Sequence, residues 1–141
     1  MPQFDYCDVV WSNCSLGLLD RLIKLHNRMA RMILGAHPRT HICDLFSALR
    51  WKDLFSRWHF HRMCEVYKCI NNFAPPYLSE RFVKPQYDTQ TRSMSTASLQ
   101  VTGAPISNGK RIIQFIGTKE WNNLRPDQRQ AGSLNSFRAS F

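Results

Sequence analysis

The stretch from residue 16 to 35 has the pattern of one amphipathic helix, and it constrains the fold more than any other part of the chain. At about 100° per residue, one side collects the apolar residues Leu19, Leu22, Ile23, Met29, Ala30 and Ile33. The opposite side carries a basic stripe within an arc of about 80°, formed by Arg21, Lys24, Arg28 and Arg31. The apolar side requires a protein surface against it, whereas the stripe suits a row of phosphates.

Two further helices are predicted after this one. Gly35 is placed to end the first helix in the left-handed conformation, and His37-Pro38 prevents its continuation. Thr40 is the predicted N-cap of a helix over about 40–49, whose inward residues are Ile42, Leu45, Phe46 and Leu49. A third helix over about 52–71 has a broad apolar side, formed by Leu54, Phe55, Trp58, Phe60, Met63, Val66, Tyr67, Cys69 and Ile70.

The pattern weakens after Pro75-Pro76, which ends the third helix. Residues 79–109 are rich in Ser, Thr, Gln and Pro, and only residues 98–101 alternate as a strand would. A helical pattern returns at residue 110. It predicts a helix that ends near Asn123 and carries the apolar residues Ile112, Ile113, Phe115, Ile116 and Trp121. Pro126 suits the first position of a short helix, and Ser133 is the expected N-cap of a last one with Leu134 and Phe137 inward.

These patterns predict a mainly α, irregular multi-helix domain with a long extended or irregular connection near residues 79–109. The expected segments are helical residues 1–78, the connection over 79–109, and short C-terminal helices over 110–141. Residues 4–11 form either a short helix or a buried entry segment. The character of both chain ends suggests one fragment of a larger protein.

The chain carries a formal net charge of +9 and has a pI of about 9.8. The excess is spread, with net charges of +1 over residues 1–35, +4 over 36–84 and +4 over 85–141. Nucleic acid is the commonest acidic partner of such a surface, and an anionic membrane surface is second. The alternative is a basic surface that is only solvated and has no acidic partner. No apolar run approaches the ~18 residues of a membrane span.

Beyond the stripe, the added candidates for phosphate contact are Arg57, Arg62, Lys68, Lys110 and Arg111.

Metal binding and catalysis find little support in the residue spacing. Cysteines stand at 7, 14, 43, 64 and 69, an odd number that fits free thiols in a reducing, intracellular compartment. Cys64 and Cys69 are about 140° apart on a helix, so we expect Cys43, Cys64 and Cys69 to be core thiols and His59 and His61 to be surface residues. No cofactor, metal or catalytic residue is predicted, because nucleophile signatures, paired carboxylates and phosphate-binding glycine loops do not occur.

Residues 4–8 superficially resemble the Tyr-x-Asp-Asp box of polymerases. That box needs adjacent carboxylates to hold two metal ions about 4 Å apart, whereas Asp5 and Asp8 are separated. We therefore interpret Tyr6 and Trp11 as packing residues.

Several strings together resemble one family, although each is short. They are Pro2-Gln-Phe-Asp-Tyr-Cys-Asp-Val-Val-Trp11, Leu22-Ile-Lys-Leu-His-Asn-Arg-Met-Ala-Arg31 with Ile33, Leu49-Arg-Trp51, Tyr67-Lys68, Ala74-Pro-Pro-Tyr-Leu78, Trp121-Asn-Asn-Leu124 with Pro126, and Ser133-Leu134 with Phe137. Their order and spacing resemble the C-terminal part of reverse transcriptases of non-LTR (LINE-type) retrotransposons, of the jockey-like kind. The resemblance covers nearly the whole chain.

The resemblance implies a post-palm, thumb-adjacent segment of an RNA-directed DNA polymerase, whose catalytic aspartates and endonuclease lie elsewhere. The implied task is non-catalytic binding of template RNA and primer DNA through their backbones, beside the upstream palm of the same protein, in the nucleus or cytoplasm. The alternative is a protein-interaction module that docks on a polymerase core and whose charge is incidental. His26 and Arg125 depart from the family's pattern, which fits a diverged or decaying copy.

Overall fold

The computed structural model of the chain describes residues 5–12, 14–84, 98–101 and 113–141. Over these ranges there are eight helices and no strand, which confirms the mainly α prediction. The helices are α1 (Asp8–Trp11), α2 (Leu16–Leu34), α3 (Ile42–Leu49), α4 (Leu54–Ile70), α5 (Pro76–Ser79), α6 (Ile113–Asn123), α7 (Pro126–Arg129) and α8 (Leu134–Ala139). Within the described ranges, no helix has both the length and the apolar character needed to cross a membrane.

Helix α2 ends as the sequence predicts. Gly35 adopts the left-handed conformation with φ of 56°, and the amide of Ala36 donates to the carbonyl of Arg31 at 3.0 Å. These contacts satisfy carbonyls of the last turn that would otherwise lack partners. The backbone can then turn sharply into the His37-Pro38 connection.

Helix α3 begins one residue later than Thr40 would set it. His41 is the N-cap, and its Nδ1 accepts from the amide of Cys43 at 3.4 Å. Thr40 instead closes a tight turn, in which its amide donates to the carbonyl of His37 at 2.9 Å. Because the amide of Thr40 takes part in the turn around Pro38, the following residue, His41, caps the helix.

The chain divides into two compact units, residues 1–59 and 60–141, with the boundary inside α4. In the first unit, Leu54 and Trp58 are buried. The residues packed against them are Trp11, Leu19, Leu22, Ile23 and Met29. The rings of Trp11 and Trp58 meet edge to face with centroids 5.1 Å apart. The predicted apolar side of α2 is thus the side that packs.

Three residues of this unit that we expected to pack are exposed. Ile33 is 57% exposed because it lies in the last turn of α2, beyond the packed residues, and Phe55 is about half exposed with only a ring edge against Trp58. Tyr6 is 77% exposed, so its interpretation as a packing residue is wrong. The left-handed turn at Cys7 uses the backbone of Tyr6 instead, whose carbonyl accepts from the indole of Trp11 at 2.6 Å.

The second unit has a core of aromatic rings from three helices. Tyr67, Trp121 and Phe137 lie with centroid separations of 4.7 Å (Tyr67–Phe137), 5.7 Å (Trp121–Phe137) and 6.4 Å (Tyr67–Trp121). The hydroxyl of Tyr67 donates to the carbonyl of Ala131 at 2.8 Å, so its polar end is satisfied inside the core. The burial predicted for Met63, Val66, Tyr67 and Cys69 on α4 is confirmed.

The predicted alternation over residues 98–101 does not produce a strand. Leu99 is buried, and the side chain of Asn122 holds its backbone: Oδ1 accepts from the Leu99 amide at 2.8 Å, and Nδ2 donates to the Leu99 carbonyl at 2.9 Å. The amide of Gln100 donates to the carbonyl of Val83 at 2.9 Å. A side chain therefore replaces the neighbouring strand that the pattern implies. The remainder of the predicted connection, 85–97 and 102–109, lies outside the described residues.

The C-terminal helices follow the sequence signals closely. Helix α6 ends at Asn123, Pro126 occupies the first turn of α7, and Ser133 caps α8 through a 3.1 Å hydrogen bond from the amide of Ser136 to its hydroxyl. Phe137 is fully buried. Ile112 at the expected start of α6 is not among the described residues.

Candidate nucleic-acid interface

Helix α2 presents the basic stripe on the side opposite its packed residues. Arg21, Lys24 and Arg28 are exposed, while Arg31 is partly buried. The backbone that carries them is held in place because the other side of the same helix packs around Leu54 and Trp58. The helix therefore holds a row of cations at fixed spacing along one edge of the first unit.

Hydrogen bonds and ion pairs distinguish the members of the stripe. Arg21 and Arg28 carry no ion pair to any residue in the described part of the chain. Lys24 lies 2.6 Å from the carboxylate of Asp20, but both side chains are well exposed, and such surface pairs contribute little. The Nη1 of Arg31 donates to the carbonyl of Asn27 at 3.4 Å, which ties this guanidinium to its own helix.

The candidate arginines of α4 lie in a different setting. Arg57 pairs with the carboxylate of Asp5 in the first unit, and both side chains are largely covered. In the second unit Arg62 is only 8% exposed, and its Nε donates to Glu120 at 2.8 Å. Each of these arginines already has a carboxylate partner, so their charge contributes little to an outer surface.

The remaining candidates divide in the same way. Lys68 is partly buried and lies 2.6 Å from Glu65 one turn earlier on α4. Lys110 and Arg111 lie outside the described residues. Of the nine predicted phosphate contacts, Arg21, Lys24 and Arg28 are therefore the ones that the structure places exposed on a common helix side.

A buried histidine lies on the packed side of α2, beneath the stripe. His26 is 1% exposed, and its ring stacks on Trp51 at 5.2 Å and meets the edge of Phe46 at 5.0 Å. Burial, and then the nearby charge of Arg57, lower the pKa of His26, while Asp53 and Asp5 oppose the shift. Helical spacing was the available signal, because His26 lies four residues from both Leu22 and Ala30 on the apolar side. The sequence analysis did not include it there, since histidine is more often an intermediate or surface residue.

The cysteines are placed partly as expected. Cys64 and Cys69 are buried, and burial raises the pKa of both thiols, that of Cys69 to about 11. A hydrogen bond from Arg138 offsets part of the shift at Cys64. Cys43 is exposed, so its prediction as a core thiol is wrong: it lies one residue from Ile42, on the outward side of α3. His59 and His61 are partly buried rather than surface residues.

The carboxylates near the N-terminus have structural contacts. Asp5 pairs with Arg57, and Asp8 is buried at the start of α1. Trp11, the other residue of this segment that we expected to pack, does so against Trp58. These contacts account for the local sequence without reference to a polymerase box.

Sequence reasoning overlooked an exposed apolar line beside the stripe. Leu18, Leu25 and Met32 are each about half or more exposed, at 51%, 49% and 72%. They repeat every seven residues, so they form one line along α2 at about two-turn intervals. The seven-residue spacing of these apolar residues could have been recognised in the sequence. The helix therefore carries a packed side, a narrow exposed apolar line and the basic stripe.

Comparison with protein-family models, with curated proteins and with solved structures finds no match to this chain.

Proposed function

We propose that this chain is a non-catalytic segment that binds the backbones of RNA and DNA, with Arg21, Lys24 and Arg28 as its principal phosphate contacts. The observation that carries the proposal is their exposure on one side of a helix whose opposite side is packed. Cations held on a packed helix lose little freedom when they meet phosphates, and each neutralised phosphate releases counterions. Such contacts position a strand without reading its bases.

The family resemblance adds a context to this proposal. In that context the chain is the post-palm segment of a non-LTR retrotransposon reverse transcriptase, and it holds template RNA and primer DNA beside the polymerase palm. The setting would then be the nucleus or cytoplasm. The overall charge of +9 favours an acidic partner of this kind.

The salt dependence of binding tests the proposal. We expect the double variant Arg21→Gln/Arg28→Gln to reduce the slope of log K against log salt by about 1.8 for a DNA duplex and about 1.4 for a single strand. The matched control is Arg39→Gln/Lys52→Gln, which removes two exposed cations of the same unit away from the stripe. An unchanged slope in the stripe variant, or an equal change in the control, would exclude the stripe as the binding surface.

A second function is favoured by the line of Leu18, Leu25 and Met32. Exposed apolar residues in register along a helix are a common way to dock on another protein. In this alternative the segment docks on a polymerase core, and its charge is incidental. The variant Leu25→Gln/Met32→Gln distinguishes the two, because it should abolish docking to an upstream polymerase segment and leave the salt slope of nucleic-acid binding unchanged.

A further inference from the structure

Two aromatic side chains of the second unit are exposed in the turn over residues 71–79, which follows α4 and includes α5: Phe73 precedes α5 and Tyr77 lies within it. Phe73 is 69% exposed and Tyr77 is 65% exposed, and neither ring contacts another aromatic ring in the described part of the chain. By contrast, Tyr67, Trp121 and Phe137 pack on one another in the core. Single exposed apolar residues are ordinary. A pair four residues apart, each about two thirds exposed, is a more specific arrangement.

The backbone that carries these rings is held firmly. Asn72 ends α4 in the left-handed conformation, and the amide of Phe73 donates to the carbonyl of Lys68 at 2.8 Å. On the other side of the turn, the amide of Ser79 donates to the carbonyl of Pro75 at 3.2 Å. The ring of Pro75 fixes its own φ. The turn is therefore restrained at both ends and within.

The inward residues of the same turn set the direction of the outward ones. Ala74 and Leu78 pack against the core of the second unit, each directly after one of the exposed aromatics. Phe73 and Tyr77 thus face outward because their neighbours are anchored inward. Four residues span at most about 14 Å of chain, which is the length of a few stacked nucleotides at about 3.4 Å each.

The charges near the rings favour a nucleic-acid partner over a protein one. Arg81 and Lys84 are exposed shortly after Tyr77, and Glu80 is the one acid of residues 71–84. The whole second unit has eleven cations and five acids. Aromatic rings on a basic surface are the usual means by which proteins hold single strands, since every base has a face that stacks on a ring.

The geometry points to Phe73 and Tyr77 as a stacking platform for unpaired bases of single-stranded RNA or DNA. This inference rests on the proposed function and narrows it, since the basic stripe contacts backbones of any strand whereas the platform requires bases that are not paired. The bases stack on the two rings while Arg81 and Lys84 lie near the adjoining phosphates.

The test compares three probes of equal length, about 16 nucleotides: a single-stranded oligothymidylate, the same strand with abasic sites throughout, and a duplex. We expect the wild-type chain to bind the oligothymidylate at least about 10-fold more tightly than the abasic strand. The variant Phe73→Leu/Tyr77→Leu keeps apolar surface but removes both rings. It should lose that preference, bind the duplex as before and retain its melting temperature.

The matched control is Tyr6→Leu, which removes an exposed ring from the first unit. It should keep the full preference for the intact strand. If the wild type binds intact and abasic strands equally, or if the Leu variant keeps the preference, the platform is excluded while backbone binding stands. If the wild type binds none of the three probes, the proposed function itself fails.

Discussion

At the scale of single residues, His26 shows how a polar ring is accommodated inside an apolar contact. It lies between Trp51 and Phe46, at the place where α2 meets α3. The neutral ring stacks well there, but a charged imidazolium would lose its hydration. Burial is the largest cause of the lowered pKa of His26; the charge of Arg57 acts in the same direction, and Asp53 and Asp5 act in the opposite one. The folded chain therefore prefers His26 without its second proton.

We predict that this preference makes stability depend on pH. Because the pKa of His26 is lower in the folded chain, the unfolded chain takes up the proton first as the pH falls through about 6.5. Stability is therefore fully present above that pH and falls below it, by up to about 1.4 kcal/mol per pH unit. Urea unfolding of His26→Gln between pH 7.5 and 5.5 should show a flatter profile, whereas the exposed control His37→Gln should follow the wild type.

Gly117 marks a close approach in the second unit. A Cβ built on Gly117 would lie 2.8 Å from Cγ2 of Val66, a buried residue of α4. Gly117→Ala should destabilise the chain by about 1–3 kcal/mol, and Val66→Ala in the same chain should recover part of the loss. A Cβ added to Gly17 on α2 would meet no described atom within 4 Å, so Gly17→Ala should instead stabilise by up to about 1 kcal/mol. Equal effects of the two substitutions in urea unfolding would contradict the contact.

At the scale of secondary structure, α6 holds an irregular segment through one side chain. Asn122 supplies both an acceptor and a donor to the backbone of Leu99. We predict that Asn122→Asp, which turns the donor into a second acceptor facing the Leu99 carbonyl, costs about 1–3 kcal/mol. Amide hydrogen exchange at Leu99 should accelerate in this variant, while Asn123→Asp on the exposed neighbour should leave it unchanged.

The same segment explains what the sequence could and could not predict. Helix boundaries at Gly35, Pro126 and Ser133 were predictable because capping and proline effects act between residues close in sequence. The tie from Asn122 to Leu99 spans 23 residues and leaves no periodic signal. Arg62 is covered and pairs with Glu120, which is likewise far from it in sequence. The sequence therefore predicted Arg62 as a phosphate contact although its side chain is largely covered.

Exposure within a helix was predicted less well than the helix itself. The two-sided pattern of α2 was clear from the sequence. Nevertheless, Ile33 and the line of Leu18, Leu25 and Met32 are exposed, because the surface packed around Leu54 and Trp58 does not reach them. Periodicity gives the direction of a side chain but not the length of the partner surface. The rigid outward placement of Phe73 and Tyr77 depends likewise on the anchoring of Ala74 and Leu78 by a distant core.

At the scale of the whole molecule, the positive charge belongs to both units. Residues 1–59 carry eight cations and five acids, and residues 60–141 carry eleven and five. The stripe on α2 therefore supplies only part of the field that attracts a nucleic acid. Neutralising it should lower the salt slope by the share of its own contacts and leave a substantial remainder.

The cysteines allow the folding of the second unit to be followed separately from local exposure. Cys7 and Cys43 are exposed, whereas Cys64 and Cys69 are buried within the unit of residues 60–141. We predict that a thiol reagent at neutral pH modifies Cys7 and Cys43 at once, and Cys64 and Cys69 only when that unit opens. The raised pKa of both buried thiols slows them further, because the thiolate is the reactive form.

Modification of Cys64 and Cys69 forms the slow phase of the reaction, and it should accelerate in Gly117→Ala, which loosens the contact of α6 with Val66. The variant Cys43→Ser removes one thiol from the fast phase and should leave the slow phase unchanged. Mass spectrometry of the modified peptides assigns each phase to its cysteine. Modification of Cys69 at the rate of Cys43 in the native chain would show that the aromatic core of Tyr67, Trp121 and Phe137 does not protect it. Since that core also anchors the turn of Phe73 and Tyr77, such a result would remove the rigid support on which the stacking platform depends.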